Sequence, residues 1–162
     1  MKNKNILRLF AILIAAIIIL MIVGAGCAKS GSEEPDYSKA IIEDFLVAFS
    51  NNDYDSISSM LSSNFKTSLK SLKDSTNKEY ASDKEAFIGK ISNPIKEKIG
   101  EYKKGTAVFE KTLTEKGYTS VFYQAEYSKE TQGKVTIQLV FEEENGKMLI
   151  GGLWFNSKTL RQ

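Results

Sequence analysis

The chain has 162 residues, with 22 Lys and Arg against 20 Asp and Glu, no histidine and one cysteine. That length suits one domain, the lone cysteine excludes an internal disulfide, and the absence of histidine removes both the commonest zinc ligand and the usual neutral-pH general base. Lysines are spread along the chain beside acids, with no basic stripe of the kind a polyanion binder carries, so no nucleic acid partner is expected.

The first segment has a charged head (Lys2, Lys4, Arg8), an apolar run from Leu9 to Val23, the small residues Gly24, Ala25 and Gly26, and then Cys27. Leu9 to Gly26 is 18 residues, about 27 Å as a helix against a hydrocarbon core of about 30 Å, so length alone also admits an uncut membrane span. The change from branched to small residues favours cleavage, because a protease subsite needs slim side chains. The stretch Val23-Gly24-Ala25-Gly26-Cys27 resembles a lipobox, with Gly24 where an aliphatic residue is usual and Val23 one place earlier. That resemblance implies a lipoprotein signal peptide over residues 1–26, cleavage after Gly26, and a membrane partner reached through diacylglyceryl-Cys27. The expected location is the extracytoplasmic face of the cell membrane. Lys2, Lys4 and Arg8 precede the cut, so 19 basic residues remain against 20 acidic ones. Residues 27–36 read as the lipidated cysteine and a flexible tether, Ala28 to Asp36 being small, polar and Pro/Gly-containing. The folded domain is expected over residues 37–162.

Tyr37, Ile41, Phe45 and Phe49 recur every four residues, which predicts an amphipathic helix with Asp36 as its cap and Asn51-Asn52 as its stop. Asp53 is placed to cap a second helix bearing Tyr54, Ile57, Met60 and Leu61, with Phe65, Leu69 and Leu72 continuing the apolar face. Lys73 to Tyr80 reads as a loop. Ser82-Asp83-Lys84-Glu85 is a capping-box pattern opening a third helix with Phe87, Ile88 and Ile91. Asn93-Pro94 is expected to break or kink that helix, and Gly100 to close its continuation.

After Gly100 the period becomes two. Val121, Tyr123, Ala125 and Tyr127 alternate with polar or mixed partners, as do Val135, Ile137, Leu139 and Phe141, and Ala107 to Leu113 forms a weaker version. Lys116-Gly117, Gln132-Gly133 and Asn145-Gly146 mark the turns, Asn-Gly most clearly. Gly151-Gly152 inside the last strand predicts a bulge that lets Ile150 and Leu153 both face inward. Helices followed by a four-stranded antiparallel meander define an α+β fold.

The run from Phe45 through Ser62, with Tyr127-Ser128-Lys129, the Val135 to Phe141 strand and Gly146 to Phe155, is similar to the nuclear transport factor 2-like (cystatin-like) superfamily. The resemblance implies a curved sheet wrapped around helices with a cone-shaped cavity between. It implies no activity, because that fold hosts enzymes, carriers and scaffolds.

Candidate chemistry is sparse. Enzymes of that superfamily place an acid in the cone, often with His or Tyr; here Glu126 falls on a polar strand face and Glu110 is ambiguous. Ser63 and Lys66 match a Ser-x-x-Lys spacing, without the companion elements such acyl enzymes need, and read as helix surface. Asn51, Asp53 and Asp55 alternate like a calcium loop, but Ser56 and Ser62 stand where its glycine and glutamate belong. Glu142-Glu143-Glu144 reads as a solvated hairpin end. Tyr123, Tyr127, Trp154 and Phe155 are the candidate groove lining, either for a ligand or as ordinary core. The sequence therefore predicts no catalytic residue, metal or cofactor, and a lipid-anchored accessory domain that binds an envelope protein or a small apolar ligand. The rival readings are a membrane-tethered scaffold subunit of an envelope or secretion machine and a small enzyme using the cone.

Overall fold

The structure, a computed structural model, describes residues 29–162. The signal-peptide and Cys27 readings concern residues outside that range. Among the described residues no helix is long and apolar enough to cross a membrane.

The chain opens with strand β1 (Lys29–Gly31), followed by helices α1 (Asp36–Asn51), α2 (Tyr54–Ser58) and α3 (Ser63–Lys70). Helix α4 (Asp83–Phe87) runs through a π-helical turn (Ile88–Ser92) into α5 (Asn93–Ile99). Four longer strands follow: β2 (Val108–Glu115), β3 (Tyr118–Ala125), β4 (Val135–Glu144) and β5 (Lys147–Asn156). All five strands form one antiparallel sheet in sequence order. The α+β class is as predicted, with one strand more than the sequence suggested.

That extra strand corrects the tether. Lys29, Ser30 and Gly31 pair with Thr114, Leu113 and Thr112. The Thr112 hydroxyl donates to the Glu33 carbonyl at 3.3 Å, and the Tyr123 hydroxyl to Glu34 Oε1 at 2.8 Å. Three residues are too few to show the two-residue period, and the open edge of β2 supplies the backbone partners that composition does not advertise.

Helix α1 begins at Asp36, the expected cap, so the cap itself lies one residue earlier. Pro35 holds the N-cap position in extended backbone, Asp36 is the first helical residue, and the Ser38 hydroxyl returns to the Pro35 carbonyl at 2.9 Å. Asn52 stops the helix in the left-handed region at φ 56°, a conformation asparagine tolerates. Asp53 caps α2 through Ser56 N–H at 3.2 Å. The apolar face then divides: Leu61 forms a parallel bridge with Ile150, Ser62 N–H donates to the Ile150 carbonyl, and the Ser62 hydroxyl caps α3 through Phe65 N–H. This short link covers part of the outer edge of β5.

Ser82 caps α4 through Glu85 N–H, while Glu85 answers to the N–H of Ala81. Pro94 does not break the helical run. The π turn lies immediately before it, and Pro94 sits in the first turn of α5, where its missing N–H costs little. Gly100 ends the run at φ 82°, where a β-carbon would collide with Ser128 Oγ and come within 2.9 Å of the Lys129 backbone nitrogen, so any larger residue is strained there.

The core lies between α1, α2 and α4 and one face of the sheet. Phe45, Leu46, Phe49, Ile57 and Phe87 meet Val121, Ile137, Leu139 and Phe141, all essentially without exposure. Removing such side chains from water is the main stabilising term, about 1.5–3 kcal/mol each when fully buried.

Candidate functional site

The sheet has two dissimilar faces, and the register decides which residues share each. Tyr123 pairs with Ile137 and Ile137 with Phe155, so these three point toward the helices. Gln138 pairs with Trp154 and Val140 with Gly152, so these point away. The β5 bulge keeps both rules intact: Val140 pairs with Gly152 but Phe141 with Ile150, leaving Gly151 over. Ile150 and Leu153 thus both face the core, as the paired glycines predicted.

On the inner face, aromatic rings form a continuous column. Tyr102 packs on Tyr127 at 5.8 Å, Tyr127 meets Phe155 edge-on at 6.2 Å, Phe155 stacks on Phe49 at 4.7 Å, and Phe49 meets Phe87 at 5.9 Å. Tyr123 stands beside this column, edge-on to Phe109 at 6.1 Å. The inward positions of β3 and β4, Val121, Tyr123, Ala125, Val135, Ile137, Leu139 and Phe141, carry no carboxylate.

The polar groups bordering this interior are tied to the fold. Glu43 accepts from the Tyr102 hydroxyl at 2.6 Å and from Gly105 N–H at 2.8 Å, and Tyr102 N–H donates to Ser50 Oγ at 2.8 Å. Glu130 accepts from Gln132 N–H and from the Thr159 backbone and hydroxyl. Hydrogen bonding, led by Ser157 and then Gln132, holds its carboxyl at about 2. Burial raises the Tyr123 hydroxyl well above the ordinary tyrosine value, with Glu34 adding to the shift. Burial does the same to Tyr127, reinforced by Tyr102. The Tyr127 hydroxyl is fully shielded and has no hydrogen-bond partner, an exception to the rule that buried polar groups are paired.

The outer face is different. Leu113, Phe122, Val140, Leu149 and Trp154 are each half-buried there among Ser120, Gln138 and Glu142. Lys111 Nζ lies 5.1 Å from the centre of the Phe122 ring. Trp154 lies across Gly152, its Nε1 shielded and unpartnered. Of the four aromatics singled out in the sequence, Tyr123, Tyr127 and Phe155 therefore share the inner face, while Trp154 stands on the opposite one. The bulge separates Trp154 from Ile150: by turning Leu153 inward it turns Trp154 outward, so Trp154 does not share a face with the other three.

The remaining sequence candidates do not converge on a site. Ser63 donates through both N–H (2.7 Å) and hydroxyl (2.6 Å) to Glu144, and these bonds, with a weaker contribution from Lys66, lower the Glu144 carboxyl below its ordinary range. Glu144 thus serves the first turn of α3 rather than a freely solvated hairpin end, and Glu142 lies against Gly151. Asp55 pairs with Lys84 at 3.0 Å, while Asp53 is engaged by the N–H and hydroxyl of Ser56. Glu126 meets Lys103 at 3.3 Å, and Glu110 stands at the β2 bulge with Gln124 at 3.5 Å. Among the described residues no group of three or more His, Cys, Asp or Glu is disposed to hold a metal. Sequence reasoning missed Glu43 and Glu130 because their partners lie 59 and 29 residues away.

Helices packed against one face of an antiparallel meander define an α+β domain. The sequence profile of the family described as "Protein of unknown function (DUF3887)" matches residues 43–153, and the chain belongs to that family. No curated protein matches the sequence. A solved chain carried under the name Rd1NTF2_05 is similar at 18% identity with a TM-score of 0.48, over 76% of this chain and 100% of its own length.

Proposed function

We propose that this protein is a lipid-anchored, extracytoplasmic accessory domain that works by binding rather than by catalysis. The observation that supports this most directly is the filling of the inner face. Where an enzyme of this architecture would need a poised acid or base, the column Tyr102–Tyr127–Phe155–Phe49–Phe87 is in place. The carboxylates bonded to Tyr102 and Tyr123, Glu43 and Glu34, are spent on structural hydrogen bonds, as is the buried Glu130. Tyrosines held neutral by burial are poor bases at neutral pH. The surface left for recognition is the outer sheet face around Phe122 and Trp154, whose half-buried aromatic and aliphatic groups amid polar neighbours have the composition of an interface centre.

Two measurements test the reading together. Metabolic labelling with a fatty acid analogue should mark the wild-type chain and not Cys27→Ser, and an unlabelled wild type refutes the lipid anchor. Photo-crosslinking in intact membranes from a probe at Phe122 should capture an envelope partner that a probe at Lys70, on α3, does not. Equal capture from both positions refutes recognition by the outer face.

A further inference from the structure

The position of β1 fixes where the chain enters the sheet. β1 runs antiparallel to β2, and its first residue, Lys29, pairs with Thr114. The chain before Lys29 therefore joins the sheet at the end where β2 turns into β3 through Lys116 and Gly117. Cys27 is two peptide units from Lys29, at most about 7 Å of reach. Thr114 is itself only two residues from Lys116. A diacylglyceryl group on Cys27 would thus enter the bilayer close to this turn, with no nine-residue tether to let the domain tumble.

The same end of the sheet carries a second turn. Thr119 pairs with Phe141 and Glu144 with Lys147, so Asn145-Gly146 lies beside Lys116-Gly117. Tyr118, 42% exposed, is one of two exposed large apolar side chains among the described residues. The other, Val108, sits at the far end of β2. Tyrosine with an apolar ring and a wet hydroxyl suits the lipid headgroup layer. Charge at this end is mixed: Lys116 and Lys147 accompany Glu115 and Glu143, while Glu144 is engaged by Ser63.

We infer that the paired β2–β3 and β4–β5 turns, led by Tyr118, form a membrane-facing surface that rests on zwitterionic lipid headgroups. This rests on the anchoring reading above for the nature of the attachment, but its geometry comes from β1 alone. The loops at the opposite end, including residues 100–107 and 128–134, then point away from the bilayer.

The test uses the full-length protein purified from membranes and reconstituted into phosphatidylcholine vesicles bearing a headgroup nitroxide. In a Trp154→Phe background, Tyr118→Trp and Gln132→Trp place a single indole at either end. Quenching at position 118 should exceed that at 132 several-fold; equal or reversed quenching overturns the inference. Amine acetylation of the unsubstituted protein gives a reading free of folding effects. Lys116 and Lys147 should be protected on vesicles relative to detergent, and Lys104 and Lys134 should not; uniform modification overturns it. Fatty acid labelling of the same preparation separates the two claims. An unlabelled protein held by an uncut apolar segment refutes lipidation and leaves the orientation to the quenching result, whereas one that does not associate with vesicles refutes both.

Discussion

A β-carbon built on Gly152 would lie 2.9 Å from the Trp154 ring and 3.4 Å from Val140. Glycine is needed there for space, since the backbone is ordinary. A rigid indole cannot swing aside as a flexible chain can, so Gly152→Ala must lift the ring or shift the strand. Overpacking of this kind costs about 1–3 kcal/mol. The expected result is a lower urea midpoint together with a red-shifted emission of Trp154, the sole tryptophan; unchanged emission would show that the ring does not move. The sequence made the glycine pair visible as a bulge, but nothing in it said that a tryptophan two residues on would fold back across the gap. Glu43 and Tyr102 were equally silent, because a bond closing 59 residues leaves no local pattern.

At the scale of elements, local chemistry was legible wherever the responsible residues were neighbours. Asn52, Asp53, Ser82 and Gly100 act where their side chains or backbone freedom placed them. The departures came from tertiary partners. β1 exists because β2 offers an edge, and the apolar stripe after Asp53 is cut at Leu61 because β5 offers another. Ser62 serves this junction twice, donating its N–H to the Ile150 carbonyl at 3.0 Å and accepting from Phe65 N–H at 3.1 Å through its hydroxyl. Ser62→Ala keeps the first bond and loses the second, which for an N-cap costs about 0.5–2 kcal/mol. Equilibrium unfolding in urea should show that loss, and Ser62→Thr should recover most of it.

For the molecule as a whole, tyrosine chemistry sets the alkaline limit of stability. Burial raises the hydroxyls of Tyr102, Tyr123 and Tyr127, and pushes Tyr54 up to about 12. A raised folded-state value means that the native protein keeps protons which the unfolded chain releases near pH 10, so stability falls as pH rises above 10. Ionisation of these four tyrosines, followed by tyrosinate absorbance, should therefore coincide with loss of helical circular dichroism. A smooth titration of all tyrosines with the fold intact would contradict this.

The edge strand also decides how the protein bears force. Because β1 leaves the sheet along its own axis, a pull on the residues before Lys29 is directed parallel to the strand. It loads the pairs with Thr112, Leu113 and Thr114 at the same moment. A pull across the strands would open them one by one; this geometry resists in shear, so a pull on the chain entering β1 strains three rungs of the ladder before any one of them yields.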